Sequence, residues 1–122
     1  MTLKMIGRDF SVCKVTEIRP ETLQGDFCFV GKTDEELSLV CETDRAPGDA
    51  TAREDGWRAF RIAGVLDFSL TGVLAPIAAL LADRKIGIFA VSTYNTDYIL
   101  VRREKLAEAA ELLEDAGYTV KE

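Results

Sequence analysis

From Trp57 to Val120 the apolar residues change period in a fixed order, and that order leaves few folds open. Trp57 to Ala63 reads as a strand, with Phe60 and Ile62 leading its apolar positions. Val73, Leu74, Ile77, Leu80 and Leu81 then recur at helical spacing, through about Arg84. Ser69 or Thr71 is the expected cap of that helix. Pro76 lies close to its start, and the missing N–H predicts a late start or a slight kink. Ile86 to Ser92 is apolar on both faces, which predicts a central buried strand. Tyr94 to Asp97 predicts a hairpin turn, because Asn and Asp bond their own backbone. Tyr98 to Arg102 returns as a strand. Arg103 to Ala116 predicts a second helix, with Leu106, Ala109, Ala110, Leu113 and Ala116 inward and Gly117 as its stop. Tyr118 to Val120 closes as a short strand. The sum is β-α-β-β-α-β. It folds naturally into an antiparallel sheet with both helices on one face, the ferredoxin-like α+β arrangement with right-handed crossovers.

The first half is less regular. Phe10 to Val15 alternates as a strand, Pro20 and Gly25 bracket a loop, and Asp26 to Gly31 is a nearly all-apolar second strand. Thr33 to Glu36 has the spacing of a capping box and predicts one helical turn. Leu37 to Cys41 is a third strand. Glu42 to Gly56, rich in Asp and Gly and containing Pro47, reads as a linker. Three strands with weak or missing helices predict a degenerate, mostly β copy of the second unit. The expected division is therefore 1–56 and 57–122.

Composition removes several chemistries. The formal charge is −6, and no Lys/Arg cluster interrupts it. Arg102, Arg103 and Lys105 open a helix that is otherwise acidic. A nucleic-acid partner, which needs a concentrated basic patch, is not expected. There is no His, so Ser-His-Asp triads, Cys-His dyads and His-containing zinc sites cannot form within this chain. No Gly-rich phosphate loop and no metal cluster stand out, and Glu108, Glu111, Glu114 and Asp115 fall on a solvated helix face. The expectation is no enzyme, no catalytic residues, no metal and no cofactor. Cys13, Cys28 and Cys41 each sit in an apolar run without a C-x-x-C, as small hydrophobes in a reducing cytoplasm would. Cys41, near a strand end, is the one expected to be partly exposed. Trp57, Phe60 and Phe68 read as packing residues. The longest apolar stretch, Gly72 to Ala82, is far short of the roughly 20 residues a membrane helix needs. The start lacks a long apolar core, so neither a membrane span nor a secretory leader is expected.

Two polar clusters then point to binding. Leu66 to Leu74 carries a strand through a polar turn with Gly72 into an apolar helix. Ala90 to Val101 runs a second strand into hydroxyl, amide and carboxylate groups. Side by side, the two strands put both clusters at one sheet edge and build a small pocket for a zwitterion. A helix N-terminus supplies N–H donors and a favourable dipole for a carboxylate. Gly72 lets the backbone approach closely. Asp67 or Asp97 could accept an ammonium group. Each residue also has a plain structural role: Thr71 as a cap, Gly72 as relief of crowding, Asn95 and Asp97 as turn formers.

The run from Gly72 to Thr93 resembles the first helix and second strand of an ACT domain. ACT domains are the amino-acid-binding regulatory modules attached to aspartate kinases and other biosynthetic enzymes. Phe29 to Cys41 and Ser92 to Val101 resemble stand-alone bacterial proteins built of tandem ACT units, a group similar to the eukaryotic cytosolic arginine sensor. The resemblance runs from about residue 10 to residue 117. It implies a ligand pocket at the seam between two ACT sheets. Asp67, Thr71, Gly72 and Val73 would form the strand-to-helix side, and Ser92, Thr93, Asn95 and Asp97 the opposite wall. Ser38 and Leu39 would come from the first half. The first half lacks a clear first helix, so the resemblance leaves open whether one chain completes a site or a homodimer is needed. The expected function is a cytoplasmic, non-catalytic sensor of an amino acid or similar zwitterion. The alternative is a protein–protein interaction module that meets a partner enzyme through its sheet edges.

Overall fold

The computed structural model describes residues 1–66 and 72–122. They form two compact units. One is Arg8–Trp57, the other Met1–Gly7 together with Arg58–Glu122. Two long strands, β1 (Thr2–Lys14) and β4 (Ala52–Ile62), contribute residues to both.

The unit holding Arg58–Glu122 is α+β and ferredoxin-like. After β4 come α1 (Leu74–Asp83), β5 (Ile88–Ser92), β6 (Asp97–Arg102), a 3-10 turn at Arg103–Lys105, α2 (Leu106–Asp115) and β7 (Thr119–Lys121). Its strand order is β7-β1-β4-β6-β5. Ile77 and Leu81 of α1, and Ala109 and Leu113 of α2, are fully buried against Phe60, Ile62, Ile99 and Val101. Those strand residues alternate along β4 and β6, so both helices cover one face of the sheet, as expected. Each large apolar side chain buried this way contributes about 1.5–3 kcal/mol. Pro76 is the third residue of α1. The helix starts late, and the missing N–H falls where no partner exists within the helix.

Several expectations need correction here. The sheet is not wholly antiparallel, because β7 runs parallel to β1, with Thr2 opposite Thr119 and Lys4 opposite Lys121. The Ile86–Ser92 stretch is not a central buried strand. The strand itself begins at Ile88, ends the strand order and pairs with β6, and its residues are half-buried or exposed. Its apolar character suits a half-covered edge, which periodicity alone does not separate from a centre. The turn is Thr93 to Thr96, and Asp97 is the first residue of β6, opposite Ser92. Ala116 is exposed, because α2 ends at Asp115 and carries no further inward position.

In the Arg8–Trp57 unit the order is β2 (Cys28–Lys32), β3 (Leu37–Glu42), β1 and β4. β1 begins eight residues before Phe10, at Thr2. Gly7, Arg8 and Asp9 break its alternation, so neighbouring strands rather than its own pattern sustain it. The strand expected at Asp26 begins at Cys28. Thr33 to Glu36 is a strand-joining turn, not a helical turn. Thr33 Oγ1 accepts from the N–H groups of Glu35 and Glu36 at 3.1 Å each, as a capping threonine would. The Thr33 N–H closes the hairpin on the Glu36 carbonyl at 2.9 Å. The linker is shorter than read. A 3-10 turn occupies Thr43–Arg45, and β4 starts at Ala52, where the Thr51 N–H meets the Lys14 carbonyl at 2.9 Å. Its charged start, Arg53-Glu54-Asp55, is exposed and hides the strand in the sequence. Cys41 is buried, and Cys28 is the more accessible thiol.

The halves also repeat. β2 and β5, β3 and β6, and the two 3-10 turns that follow each begin 60 residues apart, at Cys28 and Ile88, Leu37 and Asp97, and Thr43 and Arg103. Both hairpins turn on a threonine, Thr33 and Thr93. Where the second copy has α1, the first has only the 3-10 turn Pro20–Gln24.

Candidate functional site

The β5–β6 turn is pinned to the end of β4 by two bonds. Thr96, 5% exposed, donates its hydroxyl to the Ile62 carbonyl at 2.7 Å. The Leu66 N–H donates to the Asn95 carbonyl at 2.7 Å. These bonds hold the turn against Ile62 and Leu66. Inside the turn, the Thr93 N–H and hydroxyl both donate to the Thr96 carbonyl, at 2.8 and 3.0 Å. The Thr96 N–H donates back to Thr93 Oγ1 at 3.3 Å. The turn is therefore built on Thr93 and Thr96 rather than on Asn95 and Asp97. The signal was a Thr-x-x-Thr spacing, and it matches Thr33 in the other hairpin.

The next described stretch of the chain after Leu66 is the start of α1. Gly72 has φ +72, and a Cβ there would meet nothing within 4 Å. Glycine is needed there for the left-handed backbone, and the space around it is open. Val73 is the cap residue of α1 and has no side-chain acceptor for the first N–H groups of the helix. Leu74 and Ala75 present those groups at the N-terminal end, where the helix dipole favours an anion.

Asp67 and Thr71, with Phe68 and Ser69, lie outside the described residues. Gly72 and Val73 stand at the helix start. Ser92, Thr93 and Asn95 are exposed, and Asp97 is half-buried across from Ser92. Ser38 and Leu39 lie on β3 of the other unit. The Ser38 hydroxyl donates to Glu36 at 2.5 Å, and Leu39 is fully buried beside Cys13, Val15 and Cys41. Among the described residues, no group of three or more His, Cys, Asp or Glu side chains could hold a metal ion. No helix there is long and apolar enough to cross a membrane.

The ACT domain family matches residues 52–115, more than half of the chain. This chain belongs to the ACT domain family. Among solved structures, the ACT chain is similar to a protein from Agobacterium tumefaciens, with 34% identity and a TM-score of 0.88 over 98% of this chain and 90% of that one. A protein from Vibrio cholerae shares 21% identity, with a TM-score of 0.73 over 93% of this chain and 88% of that one. The fold is also that of the regulatory subunit of aspartate kinase from Thermus thermophilus. That match has 14% identity and a TM-score of 0.67, over 96% of this chain and 97% of the subunit. Comparison with curated proteins gave no match.

The other unit of this ACT chain holds a charged cluster that the sequence reading missed. Arg8 bridges Glu42 and Asp26, reaching Asp26 at 2.9 Å. Glu42, 6% exposed, also accepts the Asp26 N–H at 3.1 Å. A Cβ at Gly25 would lie 2.8 Å from both Glu42 Oε2 and Arg45 Cδ, so a side chain there would have to displace those two side chains. Beside it, Ser11 donates its hydroxyl proton to Asp55 at 2.5 Å and accepts from the Thr43 hydroxyl at 3.0 Å. Arg53 and Ser11 hold the Asp55 carboxyl below its usual range. A cleft of about 370 Å³ opens here, lined by Arg8, Asp9, Glu42, Thr43 and Asp44. The signal was a charged residue, Glu42, continuing an apolar strand.

Proposed function

We propose that this ACT protein is a non-catalytic regulatory sensor that binds an amino acid or similar zwitterion. The site is the edge of the Arg58–Glu122 unit where the β5–β6 turn meets the start of α1. The observation that carries this reading is the Leu66–Asn95 hydrogen bond of 2.7 Å. It fixes the Thr93–Thr96 turn, with Ser92 and Asp97 at its base, against Leu66. The first N–H groups of α1 suit the ligand carboxylate. Asp97, and Asp67 in the adjoining segment, suit its ammonium group. Thr71, Gly72 and Val73 complete the strand-to-helix side, with Thr93 shaping the wall; Ser38 and Leu39 belong to the other unit and are not part of this site. Membership of the ACT family, whose modules bind amino acids and regulate enzymes, supports the ligand class. In this reading the protein is cytoplasmic and a homodimer, and ligand occupancy passes to a partner enzyme. Strand β5 ends the strand order of the described residues, the position at which a second chain could add to the sheet.

A thermal-shift screen of the standard amino acids at millimolar concentration tests the reading. At least one should raise the melting temperature with saturating dependence, since a ligand of the folded state stabilises it by mass action. No shift with any of them would overturn it.

A further inference from the structure

The three thiols of the chain share one apolar cluster of the Arg8–Trp57 unit. Cys13 and Cys41 pack there with Val15 and Leu39, and Cys28 lies against them. Two of the three face each other directly, Cys28 on β2 opposite Cys41 on β3. In an antiparallel ladder, opposed pairs alternate. Hydrogen-bonded pairs have Cα atoms about 5.5 Å apart, and non-hydrogen-bonded pairs about 4.5 Å, with closer side chains. The phase of this ladder is fixed at its turn, where the Thr33 N–H donates to the Glu36 carbonyl. The register then runs unbroken from Lys32 opposite Leu37 to Cys28 opposite Cys41. Stepping outward from Thr33 and Glu36, Gly31–Ser38 and Phe29–Val40 are hydrogen-bonded pairs. Lys32–Leu37, Val30–Leu39 and Cys28–Cys41 are the close, non-hydrogen-bonded ones. The two cysteines therefore point to the same face at a Cα separation of about 4.5 Å, inside the roughly 4.4–6.8 Å that a disulfide spans.

We propose that Cys28 and Cys41 form a redox site that closes into a cross-strand disulfide by exchange with a low-molecular-weight disulfide such as oxidised glutathione. Cys28 reacts first, because it lies half-buried on β2 at one end of the strand order, while Cys41 is 1% exposed. Its thiolate attacks one glutathione sulfur, the glutathione S–S bond breaks, and one glutathione thiol leaves. Cys41 then gives its proton to solvent, and its thiolate attacks Cys28 Sγ. The second glutathione leaves and takes up a proton. Two protein thiols are oxidised, and one glutathione disulfide is reduced to two thiols. Cys13 is opposite Leu39, not opposite a cysteine, and takes no part. The bond fastens β2 to β3. Burial pushes the Cys41 thiol up to about 12, with Cys13 and Cys28 adding to the shift, and burial raises Cys28 as well. Closure is therefore slow at neutral pH and accelerates about tenfold per pH unit below the thiol pKa.

Peptide mapping tests this on the folded full chain. The protein is incubated with oxidised glutathione, acid-quenched, alkylated and digested with trypsin without reductant. Cleavage after Arg8, Lys14, Lys32 and Arg45, but not between Arg19 and Pro20, leaves the three cysteines on separate peptides, 9–14, 15–32 and 33–45. The expected product is 15–32 joined to 33–45, forming faster in alkaline buffer and reversed by added thiol. It persists in Cys13→Ala and is lost in Cys28→Ser. Glutathione left unresolved on Cys28, a link through Cys13, or a link formed only in denatured protein would each overturn the proposal.

Discussion

Gly72 and Thr96 show how single residues set the start of α1 and the β5–β6 turn. Gly72 holds φ +72 in open space, so a side chain there strains the backbone without meeting a neighbour. Gly72→Ala should destabilise the fold by about 1–2 kcal/mol, the cost of a left-handed non-glycine residue. Gly87, where a Cβ also meets nothing within 4 Å and the backbone is not left-handed, is the control. Gly87→Ala should leave stability unchanged or raise it by up to about 1 kcal/mol. Chemical denaturation of both variants checks the pair, and equal losses would show that loss of glycine itself, not the left-handed backbone, sets the cost. At this scale the sequence showed that polar groups gather at the turn. It did not show which of them build it. Asn95 and Asp97 have the stronger turn preference. Thr93 and Thr96 won because their hydroxyls close the turn and reach Ile62 across the sheet. A bond to a distant strand leaves no local mark.

Elements were legible where their own periodicity decided them. α1 and α2 show helical spacing, and Ile77, Leu81, Ala109 and Leu113 are buried as that spacing requires. Leu113→Ala removes a fully buried side chain from the contact between α2 and the sheet, and should cost about 2–5 kcal/mol. Ala116→Ser, on the exposed turn beyond α2, should change stability by less than about 0.5 kcal/mol. Thermal unfolding of the two variants measures the difference. A small loss at Leu113 would mean that α2 is not packed as described. Elements were misread where neighbours decided them. β5 is as apolar as a central strand yet sits at an edge. β4 begins in charged residues that read as a linker, because its ladder with β1 comes from the partner strand.

On the scale of the whole molecule, the repeat links the two halves. Its hairpins and 3-10 turns recur at a constant spacing, but side chains at matching positions differ, such as Glu42 and Arg102. The spacing was present in the sequence but was obscured by the missing first helix. That helix is also the part whose N-terminal N–H groups and dipole would favour an anion, and the first half has only the 3-10 turn Pro20–Gln24 in its place. The charged cluster around Glu42 marks the other unit as chemically different. The proposed function therefore predicts an asymmetric chain, with one half binding and the other half carrying the thiol pair.

The most direct measurement is a backbone-amide NMR titration of the full chain with amino acids. The amides of Leu74 and Ala75 and those of Thr93 to Thr96 should shift together and saturate, while the amides around Arg8 and Glu42 stay unchanged. Shifts confined to the Arg8–Glu42 cleft, or no saturable shift at the α1 start and the β5–β6 turn, would contradict the account.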